Sequence, residues 1–158
     1  MANLDRPSGF KAVSGAGGSA AIPMYPAKVR IGVSLQPGDA IIMLSNGTVD
    51  IALAASTQIL GVCQSVVTGG AALVDCLYVP ARADIVFEGQ CSGTYTPVNA
   101  GESVDIEGAT GVMEINENAQ ITGVARIIKL ADGIDNADGA NARVLFNWTK
   151  SQWTGQSS

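Results

Sequence analysis

The chain repeats itself, and the repeat dictates its architecture. Pro37-Gly38-Asp39-Ala40 opens an apolar run ending at Leu44; Ser45-Asn46-Gly47 follows, then Thr48-Val49-Asp50-Ile51, and later Gln58-Ile59-Leu60-Gly61-Val62. The series returns as Ala100-Gly101-Glu102-Ser103, Val104-Asp105-Ile106, Ala109-Thr110-Gly111, Val112-Met113-Glu114-Ile115 and Gln120-Ile121-Thr122-Gly123-Val124. The offset stays at about 62 to 64 residues in three separate places, in order, which marks two copies of one supersecondary unit.

Each unit reads as strands and turns. Gly-Asp and Gly-Glu turn into a strand. Asn46-Gly47 signals a hairpin, because both residue types tolerate positive φ. Thr48-Val49-Asp50-Ile51 alternates as a half-buried strand does, whereas Val112-Met113-Glu114-Ile115 is out of phase at Met113. Gly61 and Gly123 interrupt apolar strands at matching places and predict a bulge or a close backbone approach. Each unit ends on a further apolar strand, Ala72–Val79 before Pro80 and Ala142–Trp148. Ala52–Ser56 is long enough for one helical turn only. The expected fold is all-β, a small sandwich or barrel of about ten short strands. Its β domain spans residues 29–150, with pseudo-repeat units at about 37–80 and 100–148.

Charge divides the chain differently. Residues up to Arg30 hold Arg6, Lys11, Lys28 and Arg30 against Asp5, while the remainder holds five bases and thirteen acids. Residues 1–28 therefore read as an extended, Gly-rich basic arm on an acidic body, able to lie on an acidic neighbouring surface. Four spaced charges and one aromatic make a poor phosphate footprint, so nucleic acid is not expected as a partner. Residues 151–158 read as a polar C-terminal tail. Charged residues are only 15% of the whole, against roughly 25% in ordinary soluble domains, a composition suited to a surface covered by partners.

Reactive chemistry is hard to assemble from these residues. There is no histidine, which removes the usual general base and the commonest metal ligand. The acids alternate along strand faces and read as solvated charge. Asp132–Gly139 has a calcium-loop look, but counting back from Gly139 the alternate positions are Ala137, Asp135 and Gly133, so the ligand phase fails. Gly15-Ala16-Gly17-Gly18 lacks the Lys-Ser/Thr ending of a phosphate loop. Cys63, Cys76 and Cys91 fit no zinc spacing and read as buried thiols. No catalytic residue, cofactor or metal site is expected. No apolar stretch approaches the ~20 residues of a membrane span, and the opening residues lack the pattern of a secretory signal. No membrane partner is expected, and the chain is expected to fold in a cytosol.

The stretch Met1-Ala2-Asn3-Leu4-Asp5-Arg6-Pro7-Ser8-Gly9-Phe10-Lys11-Ala12-Val13 resembles the opening of tailed-phage head decoration (capsid cement) proteins. Gly38-Asp39-Ala40-Ile41, Ile59-Leu60-Gly61-Val62, Tyr78-Val79-Pro80 with Ile85-Val86-Phe87-Glu88, and Asn141–Phe146 continue the resemblance. It implies a β-rich structural protein, commonly a homotrimer, made in the host cytoplasm and bound to the major capsid protein on the outer surface of the virion. There it bridges capsomers. Position and composition make Arg6, Phe10, Lys11, Tyr25 and Arg30 the candidate arm contacts, and Trp148 and Trp153 the C-terminal ones. The rival readings are another virion component, such as a tail or head-fibre protein, and a small-molecule-binding β-barrel. Few aromatics count against the last.

Overall fold

The computed structural model describes residues 3–15 and 18–153 and is all-β. The strands are β1 (Lys11–Ser14), β2 (Tyr25–Val29), β3 (Ala40–Met43), β4 (Thr48–Ile51), β5 (Gly61–Cys63), β6 (Val74–Pro80) and β7 (Val86–Gln90). The series continues with β8 (Thr94–Tyr95), β9 (Ser103–Glu107), β10 (Glu114–Asn116), β11 (Ala125–Leu130), β12 (Gly139–Ala140) and β13 (Arg143–Trp148). Thirteen strands among the described residues replace the expected ten or so. The additions include β1 and the two-residue pair β8–β12, elements too short to leave a period-2 signature. Residues 1, 2, 16 and 17 of the expected arm and 154–158 of the expected tail lie outside the described residues.

The repeat is a repeat of topology. In the first module the antiparallel order is β4-β3-β5-β6, and in the second it is β10-β9-β11-β13. Each module is entered by a strand antiparallel to its last one, β2 on β6 and β7 on β13. In the first, β2 also pairs in parallel with β4 and closes a five-stranded barrel. The second curls the same way. Cys91, just past β7, makes a parallel bridge to Ile115 of β10, where Ser92 N donates to Ile115 O (2.9 Å); in the first module Arg30 N donates to Val49 O (2.9 Å).

The turns entering β3 and β9 match bond for bond. Asp39 N donates to Gln36 O and Glu102 N to Asn99 O, both at 3.1 Å. Gly38 N donates to Cys63 O (2.8 Å) and Gly101 N to Ile127 O (2.7 Å). The two glycines have φ of 96° and 89°, the region open to glycine, which is why the sequence keeps Gly there in both copies. Gly61 meets its expectation of close approach: a Cβ there would lie 2.3 Å from Val79 O.

Period-2 alternation distributes side chains between two cores. Ile41, Val49, Cys63, Cys76 and Tyr78 fill the first barrel with Val29, Leu35 and Leu60. Ala40, Val62 and Val79, the alternate residues of the same strands, turn outward and join the second module in a larger shared core with Ile59, Phe87, Ile106, Ile127, Phe146 and Trp148. Both faces of β3 and β5 are therefore covered in part, which explains their nearly unbroken apolar sequence.

The termini cross. The N-terminal segment lies on the second module, with β1 paired to β7, and residues 150–153 lie on the first. The expected arm of residues 1–28 is corrected accordingly. It contains β1 and most of β2, and Phe10 is 2% exposed in the shared core.

Candidate interaction surfaces

The candidate contact residues do not converge on one surface. Phe10 and Trp148 are both buried, with ring centroids 5.4 Å apart in an edge-to-face pair, and Phe10 meets Phe146 at 5.3 Å. Their expected role as partner contacts is corrected: an apolar ring with a pocket in its own chain gains more from that pocket than from solvent. Trp148 Nε1 has no hydrogen-bond partner among the described residues. Trp153 stacks at 4.4 Å on Tyr25 and lies 6.2 Å from Tyr78, so the expected C-terminal anchor grips its own first module.

Arg6 and Lys11 are exposed along the second module. Arg6 N donates to Gln90 Oε1 (2.9 Å), and Gln90 donates from its amide to Asp5 and Glu114. Lys28 and Arg30 pair with Asp75 (2.8 Å) and Asp50 (2.9 Å). These surface pairs contribute little stability, roughly 0 to 1 kcal/mol. They do direct half of the basic charge of the N-terminal segment onto the chain's own acids instead of a neighbour's.

Three acids depart from the solvated reading. Asp39 is fully buried and accepts from Gln36 N (2.8 Å) and Gly111 N (2.7 Å), joining the two modules; burial raises its pKa from the ordinary value despite those bonds. Asp105 accepts from Ile121 N, Thr122 N, Thr122 Oγ1 and Gly123 N at 2.7–3.1 Å. Burial alone would raise its pKa, but the four bonds together outweigh it and hold the carboxyl below its ordinary value. Glu117 is buried, accepting from Gly93 N and the Asn118 amide. Each carboxylate collects donors of its own chain and is structural. The Asp132–Gly139 loop is organised by Asn136, whose amide donates to Ala131 O and Arg143 O and accepts from Arg143 N.

What sequence reading missed is the apolar surface. Among the described residues Ile134 is fully exposed, Ile121 is 91% exposed, and Val98 and Val66 exceed 60%. Leu77 is exposed across from Pro26 on the outer face of β6 and β2, with Met24, Leu73 and Val74 also exposed nearby in the chain. Burying one such side chain is worth about 1.5–3 kcal/mol. No helix among the described residues is long and apolar enough to cross a membrane. The chain matches no protein-family model and no curated protein sequence.

Proposed function

We propose that this protein is a structural decoration protein of a tailed-phage head. In this reading it binds the major capsid protein on the outer surface as a homotrimer and stiffens the shell by bridging capsomers. The observation that carries the reading is the combination of a rigid, filled double module with large apolar side chains left on its surface. The first barrel is packed with Val29, Leu35, Ile41 and Tyr78, so its interior offers a small ligand no lumen. The buried carboxylates Asp39 and Asp105 are occupied by backbone donors. Binding energy is available at the outside, where several exposed Ile, Leu and Val residues stand among few charges.

The mechanism is additive burial. A stable specific interface covers about 1,600 Å², and many equivalent sites on a shell multiply a modest gain per site. Two like modules in one chain suit a surface made of like capsomers, since each can meet an equivalent neighbour. The test is to prepare heads without this protein, measure the temperature at which they release DNA, and add back the purified chain. Decoration predicts saturable binding and a higher release temperature. Failure to bind intact heads overturns the reading.

A further inference from the structure

Two of the three cysteines meet inside the first barrel. Cys63 lies on β5 across from Tyr78 of β6, and Cys76 stands two residues before Tyr78 on that strand. Period 2 turns both side chains to the same face, so the two are diagonal neighbours on adjacent strands. Both are buried in the core of that barrel with Leu35, Ile41 and Tyr78. The thiols are hydrogen-bonded, the Cys76 S–H donating to the Cys63 sulfur. Cys63 Sγ also accepts from Ser65 N (3.4 Å) and, as a thiol, donates to Ser65 O (3.3 Å).

The second module shows what these positions hold in an ordinary apolar core. Cys63 faces Tyr78 as Ile127 faces Phe146. Cys76 faces Ala27 as Val144 faces Gly89, with Tyr25–Tyr78 and Phe87–Phe146 as the corresponding pairs two residues away. Ile127 and Val144 are both fully buried. The first module thus carries cysteine at both members of a neighbouring pair that is Ile and Val in its counterpart. Cys91 has no such partner, since it belongs to the other core and lies beside Glu117. The two paired thiols are also chemically unlike. Donation by Cys76, helped by Ser65 N, holds the Cys63 pKa below its ordinary value against burial and the Asp39 charge, whereas the same Cys63–Cys76 bond and burial raise that of Cys76. Cys63 is therefore the better nucleophile of the pair.

We propose that Cys63 and Cys76 form an oxidation site, a dithiol that a peroxide converts to a cross-strand disulfide inside the first barrel. The Cys63 thiolate attacks one peroxide oxygen. The O–O bond breaks, the departing hydroxide takes up the proton that Cys63 released and leaves as water, and Cys63 becomes a sulfenic acid. The Cys76 sulfur then attacks the Cys63 sulfur. The S–S bond forms, the S–O bond breaks, and hydroxide leaves with the Cys76 proton as a second water. The two thiols give up two electrons and the peroxide takes them. A reducing cytosol keeps the dithiol form. Oxidation closes a loop over the twelve residues between the cysteines and stabilises the barrel by restricting the unfolded chain. The site rests on the packing of the first barrel and not on the decoration reading.

The test treats the intact chain with hydrogen peroxide in the absence of denaturant and then counts thiols in urea. Only Cys91 should remain free, against three free cysteines before treatment, with the intact mass lower by two hydrogen atoms. Cleavage before Asp75 separates Cys63 from Cys76 in the reduced chain; after oxidation the two fragments should stay joined until a reductant is added. The oxidised chain should unfold at a higher urea concentration, and reductant should reverse that shift. Cys76→Val and Cys63→Ile, each taking the second module's residue, should abolish the bond with an unchanged circular dichroism spectrum, and Cys91→Ala should leave it intact. Four results overturn the proposal: three thiols still free, a cross-link through Cys91 or between two chains, sulfinic acid at Cys63 with Cys76 still free, or a urea midpoint that oxidation leaves unchanged or lowers. All of these are read without heads, so failure here is distinct from failure of the decoration reading.

Discussion

Replacing Gly89 by Ala places a methyl group where Phe10 already stands. A Cβ at Gly89 lies 2.8 Å from Phe10 Cδ1, 3.1 Å from its Cε1 and 3.2 Å from Phe146 Cε1. Overpacking of this kind costs about 1–3 kcal/mol. Phe10→Ala removes a ring that is 2% exposed and edge-on to two other aromatics, a loss of about 3–5 kcal/mol. For a chain of this size that lowers Tm by about 6–20 °C, at roughly 2–4 °C per kcal/mol. The two changes are coupled, because the cavity left by Phe10 accommodates the new methyl. In the Phe10→Ala background the Gly89→Ala penalty should fall by at least about 1 kcal/mol, outside the ~0.5 kcal/mol expected of independent sites. Urea unfolding of the four proteins, followed by tryptophan fluorescence and circular dichroism, measures the cycle. A Phe10→Ala cost below about 0.5 kcal/mol, or strict additivity, would refute the claim that the N-terminal segment is part of the core.

Asp39 and Asp105 should bend the pH profile in opposite directions. Asp105 has a folded pKa below its ordinary 3.8, so its contribution is complete above that value and is lost as pH falls through the folded value; Asp105→Asn should flatten this acid limb in pH-dependent urea midpoints. Asp39 has a folded pKa above 3.8, so stability declines as pH rises through the window between 3.8 and the folded value, and Asp39→Asn should remove that slope. The same substitution puts an NH₂ against one of two donating backbone amides, at a cost of about 1–3 kcal/mol. Cys91 is fully buried, and burial together with Glu117 pushes its thiol pKa up. Its alkylation by iodoacetamide should therefore follow global opening, and fast native labelling would contradict the packing. Trp153→Ala should cost about 1–2 kcal/mol through lost stacking on Tyr25, read as a lower urea midpoint.

The sequence carried the module plan because that plan is local. Gly38-Asp39 and Gly101-Glu102 occupy turns whose hydrogen bonds and φ values agree, and those turns fix the strand order that follows. The arm was misread for an equally physical reason. Lys11–Ser14 is too short and too polar to show a strand period, and Phe10 is a lone aromatic in a Gly-rich stretch. Only the pairing of β1 with β7 and the space left by Gly89 reveal it as core. Buried Asp39 was hidden likewise, since its partner Gly111 lies in the other module. Aligning the units by sequence sets Ile121 against Ile59, but the strand pairing sets Gly123 there: Ile41 pairs with Gly61 and Val104 with Ala125. The shift of two residues arises in the loops before β5 and β11, where no strand period fixes the register.

The most direct test of a shell-stiffening role is to count this protein in purified particles by quantitative mass spectrometry against the major shell subunit. Decoration predicts about one copy per shell subunit, retained through washing. A handful of copies per particle, or none, would contradict it and place the chain in a tail, a fibre or outside the virion altogether.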